Sequence, residues 1–198
     1  MIAGLLLASG ASRRFGSNKL LAPVDGRAII RWSAEPLASA VDATYVVVPG
    51  HSPEVRTALD GLAVRWVENP DAESGMASSI RAGVTMLAPD AEAVVITLGD
   101  QPLIDASVIR RVVARWRETS GATRAITTAY TDGRGHPTLF GSAVFPALRT
   151  LEGDRGAREL LDLLGDQVAV VEADGLQPID VDTPEALRLV AGQLAARR

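Results

Sequence analysis

The stretch "IAGLLLASGASRRFGSNK", residues 2–19, decides how this chain folds. Ile2 to Leu7 is a short run of apolar residues and glycine. That length suits a strand covered on both faces better than a helix. The run stops at Ser9 and Gly10, and Gly10 and Gly16 then bracket a segment carrying Arg13 and Arg14. Lys19 follows, the only lysine in the chain, and no acidic residue precedes Asp25. A buried strand opening into a basic, glycine-bracketed loop points to an α/β sheet with a ligand site at its carboxyl edge.

The same stretch resembles a secretion signal in its apolar run and small residues. It lacks basic residues before the run, however, and its positive charges come after, so a first buried strand is the better reading. Outward from it, short apolar runs alternate with helical patterns. Strands are expected at Ile2 to Leu7, Thr44 to Val48, Ala63 to Val67 and Ala93 to Leu98. Helices are expected at Ala28 to Ala40, Glu54 to Leu59, Ala77 to Leu87 and Ser107 to Glu118. Such alternation predicts βαβ units and a mostly parallel sheet. Farther on, strands at Arg124 to Tyr130 and Pro137 to Phe140 flank the turn "TDGRGH", which suggests a small antiparallel insertion. A helix over Ala157 to Leu164, a strand over Val168 to Val171 and a last helix over Pro184 to Ala196 complete the order. No linker divides the chain, so residues 1–198 are expected to form a single-domain, three-layer α/β/α fold.

Composition narrows the chemistry. The net charge of −4 argues against a nucleic acid polymer or an anionic membrane as partner. No run reaches the ~20 apolar residues of a membrane span, and a cytoplasmic location is expected. With no cysteine there is no disulfide, thiolate metal site or thiol nucleophile. The two histidines, His51 and His136, are far apart. Any metal is then a hard ion held by carboxylates, which favours Mg²⁺.

In the basic loop, glycines permit a nest of inward N–H groups, and Arg13, Arg14 and Lys19 supply charge for a polyphosphate. A solvated basic turn would carry the same residues. A Walker A loop is excluded, since Gly10 and Gly16 stand six apart and Lys19 three later; a G-x-G-x-x-G fingerprint is also absent. Asp100 follows the apolar strand in "VVITLGDQPL" and so falls at the carboxyl edge of the sheet; a local turn would also favour aspartate and proline there. Asp182, in "PIDVDTPEAL", reads either as a metal ligand or as the N-cap of the last helix with Glu185 as its capping-box partner. Asp180 is its near neighbour, and the two are expected, as an alternating pair on a strand, not to face the same side. "SGMASSIRAG" opens a helix with small hydroxyl residues, suited to close approach of a nucleotide or to N-capping by Ser74 or Ser78. His136, in "RGHPTLFG", is a candidate substrate contact or a packing residue.

Taken together, the motifs resemble the nucleotidyltransferases of the molybdopterin-nucleotide type, which share the GT-A-like fold of nucleotide-diphospho-sugar transferases. That family's opening pattern is met by Leu7, Ala8, Gly10, Ser12, Arg14, Gly16 and Lys19, with Phe15 in place of methionine. "GMASSIRAGV", "GDQPL", "GHPTLF", "LEGDRGARELL" and "IDVDTPEAL" continue the match in order. The set is most similar to molybdenum cofactor cytidylyltransferases. The guanylyl branch typically has Gly-Gly where this chain has Ser9 and Gly10, and the cytidylyl branch usually has Ala-Ala-Gly.

The resemblance implies transfer of CMP from CTP to the phosphate of molybdopterin with release of pyrophosphate, and a recipient molybdoenzyme as partner. It implies that Leu7, Ala8, Ser9 and Gly10 contact base and ribose, that Arg14 and Lys19 take the phosphates, and that Ser79 lies beside the base. Asp100 would bind Mg²⁺, with Asp182 (or Asp180) completing its shell. His136, Asp154 and Arg155 would border the acceptor. Competing readings are a guanylyl- or sugar/alcohol-phosphate nucleotidyltransferase on the same fold, a non-catalytic cofactor-delivery protein, and a nicotine-blue-type oxidoreductase using NAD(P)H.

Overall fold

The structure, a computed structural model, describes residues 1–10, 15–119, 122–153 and 157–197. Its strands are β1 (Ile2–Leu7), β2 (Pro23–Val24), β3 (Arg27–Ala28), β4 (Ala43–Val48), β5 (Val64–Glu68), β6 (Ala93–Leu98), β7 (Ala125–Tyr130), β8 (Gly133–Gly141) and β9 (Val168–Glu172). Its helices are α1 (Ile29–Ala38), α2 (Pro53–Ala58), α3 (Met76–Thr85), α4 (Ala106–Glu118), α5 (Phe145–Leu148), α6 (Arg158–Leu164) and α7 (Pro184–Ala196).

Seven strands form one sheet in the order β5-β4-β1-β6-β8-β7-β9. Only β8 runs against the others, pairing antiparallel with β6 and β7. The expected mostly parallel sheet with a small antiparallel insertion is therefore what forms. β1 lies in its interior, every residue buried, between β4 and β6. Chain order reverses direction across the sheet here, so a crevice opens beyond its carboxyl end.

Alternation along β1 feeds two cores. Ile2 and Leu6 pack with Ile30, Ala34 and Leu37 of α1 and Ile109, Val112 and Val113 of α4. Ala3, Leu5 and Leu7 pack with Ile80 and Val84 of α3 and Phe145 and Leu148 of α5. The result is the three-layer arrangement. Burying each such leucine or isoleucine contributes about 1.5–3 kcal/mol. Gly83 lets α3 sit close on β1: a Cβ there would lie 2.3 Å from Leu5 Cδ1.

A third apolar cluster positions the site. Ala22, Val24, Ile29 and Leu103 meet Val181, Val190 and Leu194, so α7 and the segment before it clamp onto the chain following the basic loop. Val181 is fully buried, and its N–H donates to the Asp100 carbonyl at 2.9 Å. That bond fixes the flanking aspartates beside the end of β6.

Several expectations need correction. The β2–β3 hairpin was not expected, although Asp25 and Gly26, both with positive φ, form the two-residue turn that Asp-Gly sequences favour. β8 starts at Gly133 rather than Pro137, because its polar first half pairs with the end of β7. Asp182 does not cap α7: the Thr183 hydroxyl accepts the Ala186 N–H at 3.2 Å instead. Ser74 and Ser78 do not cap α3; Gly75 holds the N-cap position, and the Ser78 hydroxyl donates to its carbonyl at 2.8 Å. Among the described residues, no helix is long and apolar enough to cross a membrane.

Candidate active site

Lys19 opens a single 3-10 turn, Lys19–Leu21, whose first N–H groups need a partner; the Asn18 side chain accepts from Leu20 N at 3.1 Å. Leu20 is sunk in the core, which turns Lys19 inward until only 6 % of it is exposed. Its Nζ donates to Asp100 Oδ2 and to Asp182 Oδ1, each at 2.5 Å. The loop holding Asp100 is tied on both sides: Gly99 N–H donates to the Leu7 carbonyl at 2.9 Å, and Ser33 Oγ of α1 donates to the Gly99 carbonyl at 2.9 Å.

Asp180 joins the same group. Its Oδ1 accepts from Gln101 Nε2 at 2.7 Å, and its backbone carbonyl accepts the Asp182 N–H at 3.0 Å. The segment is irregular, not a strand, so the expectation that Asp180 and Asp182 face different sides fails; on a strand, residues two apart would in any case share a face. Burial pulls the Lys19 ammonium down, but the Asp100 and Asp182 carboxylates more than offset it, leaving its pKa above the usual 10.5. Burial, then the charge on Asp100, pushes the Asp180 carboxyl above its usual 3.8.

A second polar group lies across the end of β1. Ser9 and Ser79 share a hydrogen bond between their hydroxyl oxygens at 2.5 Å. Asn69, buried just beyond β5, donates from Nδ2 to Ser78 Oγ at 2.9 Å and to Ser79 Oγ at 3.0 Å. Leu7, Ala8 and Ser9 are buried and Gly10 is exposed. Thus the residues expected at the nucleobase, Leu7, Ala8, Ser9, Gly10 and Ser79, meet at one place. Asn69 was not foreseen, though the loop after Val67 falls at the edge where ligands bind.

His136 occupies the opposite side. Beside it opens a cavity of about 580 Å³, walled by Ile96, Leu98, Gln101, His136, Phe140 and Asp180, among others. Arg14, Asp154 and Arg155 lie outside the described residues, as do Ser12 and Arg13. Of the other expected site residues, Lys19, Asp100 and Asp182 are in direct contact, with Asp180 linked through Gln101.

The donor set fits a hard divalent ion. Two carboxylate oxygens already share one cationic nitrogen, so they lie within about 5 Å of each other, and Mg²⁺ or Mn²⁺ needs only one or two carboxylates when phosphates and water supply the rest. Among the described residues, no group of three or more His, Cys, Asp or Glu forms a complete protein cage. The metal would therefore be held jointly with a phosphate-bearing substrate.

Residues 4–170 match the family described as MobA-like NTP transferase domain. The chain belongs to that family. As a nucleotidyltransferase of the MobA-like family, it places its carboxylates, lysine and hydroxyl pair around one crevice. It is 33 % identical to the purine catabolism protein PucB of Bacillus subtilis, over 94 % of each chain. It is 31 % identical over 141 residues to the bifunctional protein GlmU of Mycobacterium ulcerans, spanning 29 % of that protein. Among solved structures it resembles Rv0371c of Mycobacterium tuberculosis, with a TM-score of 0.83 and 32 % identity, over 96 % of this chain and 97 % of that one. A second structure of Rv0371c, a complex with manganese, matches at a TM-score of 0.79 and 30 % identity, over 96 % of this chain and 98 % of that one.

Proposed function

We propose that this protein moves CMP from CTP onto the phosphate of molybdopterin, releasing pyrophosphate, with Mg²⁺ held by Asp100 and Asp182. The observation that carries this reading is the contact of Lys19 with both carboxylates, at the carboxyl edge of the sheet and beside the Ser9–Ser79 pair. A triphosphate laid across that edge has its base near Ser9 and Ser79 and its phosphates near Lys19.

The acceptor phosphate is already an anion and needs no side-chain base. Its oxygen attacks the α-phosphorus of CTP, a new P–O bond forms, and the bond to the β-phosphate breaks to release pyrophosphate. The chain's own task is positioning and charge neutralisation. The Lys19 ammonium, whose pKa its carboxylate neighbours raise above the usual 10.5, neutralises phosphate charge, and Arg14 adds a second cation. The divalent ion, when bound, neutralises charge on the phosphate oxygens. His136, Asp154 and Arg155 border the acceptor, and a molybdoenzyme receives the product.

The choice of base rests on Ser9. Its side chain is buried against Ser79, filling space that glycine would leave open, and so it favours a pyrimidine over a purine. Thermal shift with CTP, GTP, ATP and NADPH, each with and without Mg²⁺, tests the reading. A ligand at 100 times its Kd adds about 2.7 kcal/mol, which raises Tm by roughly 5–10 °C for a domain this size. A Mg²⁺-dependent shift with CTP alone is expected. A shift with NADPH alone overturns the transferase reading.

A further inference from the structure

Four buried side-chain atoms have no hydrogen-bond partner among the described residues, and two of them, Gln101 Oε1 and Thr127 Oγ1, belong to residues lining the cavity beside His136. Gln101 is held in one orientation. A carboxylate oxygen of Asp180 accepts its Nε2 at 2.7 Å, so the amide oxygen is the end left over. Gln101 is 8 % exposed and Thr127 1 %, so both are deep in the wall.

His136, also in the lining, supplies a further acceptor. Its Nδ1 lies 3.2 Å from the Ile96 carbonyl, which can only accept, so Nδ1 carries the proton. Burial holds the ring below its usual 6.5, although the Ile96 bond and Asp100 oppose that. The neutral ring then has a lone pair on Nε2. Arg134, Arg158 and Asp162 also line this cavity, but all three are exposed at its rim. The cavity is therefore lined by two residues with a hydrogen-bond acceptor to spare, Gln101 and His136, and by Thr127, whose hydroxyl serves either way.

Building on the proposed acceptor, we infer that Gln101 and His136 set acceptor specificity by reading a heterocycle edge that presents adjacent N–H donors, as a 2-amino-4-oxo ring does. A ring with a carbonyl at that position meets lone pairs with lone pairs and is rejected. The acceptor's orientation follows: its donor edge enters the cavity, and its phosphate faces Lys19 and the carboxylates.

The test is an NMR titration of the full chain with 6-hydroxymethylpterin and with 6-hydroxymethyllumazine, which carries an oxo group in place of the 2-amino group. The pterin is expected to bind about tenfold or more tightly, because a site built for hydrogen bonding penalises unpaired groups. His136→Phe and Gln101→Leu, each checked for folding by its Tm, are expected to reduce that preference to less than about threefold. Equal affinity, preference for the lumazine, binding of neither, or an unchanged preference in both folded variants overturns the inference. A missing CTP–Mg²⁺ thermal shift instead overturns the cytidylyl reading and leaves the pterin preference standing.

Discussion

Lys19 Nζ lies 2.5 Å from Asp182 Oδ1, a contact that joins residues 163 positions apart in the chain. It closes the site by linking the first crossover to the segment before α7, and Val181 pins that segment in the core. The ammonium, almost wholly buried, keeps Asp100 and Asp182 together against their mutual repulsion.

Replacing Lys19 by methionine removes that charge while keeping most of the side-chain volume. Asp182 is partly exposed, so the loss is smaller than for a fully buried pair, about 1–3 kcal/mol at pH 7. Because the folded pKa of Lys19 is raised, its contribution is fully present below about pH 10.5 and is lost as pH rises through the higher folded value. Denaturant unfolding across pH 8–12 is expected to show a gap between wild type and variant that narrows only at the alkaline end. A gap independent of pH up to 12 would dismiss the ion pair as its source.

Asp182→Asn keeps the shape of the turn and the Val181 anchor but removes one carboxylate. Its apparent affinity for Mg²⁺ or Mn²⁺ in the presence of CTP is expected to fall by about tenfold or more. Isothermal titration measures this, and affinity equal to wild type would exclude Asp182 from the metal shell.

Ser9→Gly removes a side chain that fills the end of β1. Selectivity, measured as kcat/KM for CTP over GTP, is expected to fall by about tenfold. Stability is expected to fall by about 0.5–1.5 kcal/mol through loss of the Ser79 hydrogen bond. An unchanged nucleotide preference would show that Ser9 does not shape the base site.

Asn69→Ala leaves two buried hydroxyls without their donor. Stability is expected to fall by about 1–3 kcal/mol, and KM for CTP to rise more than kcat falls, since Asn69 acts through Ser78 and Ser79 and not through the Lys19–carboxylate contacts. A fall in kcat alone would assign Asn69 to the chemical step.

The parts of the fold that were legible in the sequence are those with strong local causes. β1 and β6 are continuous apolar runs in the buried centre of a parallel sheet, and their bounds match the expectation. α7 begins at a proline in its first turn, as expected. The first half of β8 was not legible because Gly133 and Arg134 are exposed and show no apolar alternation. In the site, Asp100 could be found from its place after a buried strand. Asp180 could be named only as an alternative to Asp182, because no local pattern shows that an irregular segment, rather than a strand, sets it against Gln101. The Lys19 contacts depend on segments distant in sequence, and only the family resemblance linked those residues beforehand. Gln101 gave no signal, since its role arises from what Asp180 does to its amide.

The most direct measurement is pyrophosphate release from CTP, GTP and ATP in the presence of molybdopterin and Mg²⁺, for wild type and Asp100→Asn. Wild type is expected to release one pyrophosphate per CMP-molybdopterin formed, with kcat/KM for CTP about tenfold or more above the other nucleotides. Asp100→Asn is expected to be slower by about 10²-fold or more. No pyrophosphate from any nucleotide with folded wild-type protein, or equal rates in Asp100→Asn, would contradict the account.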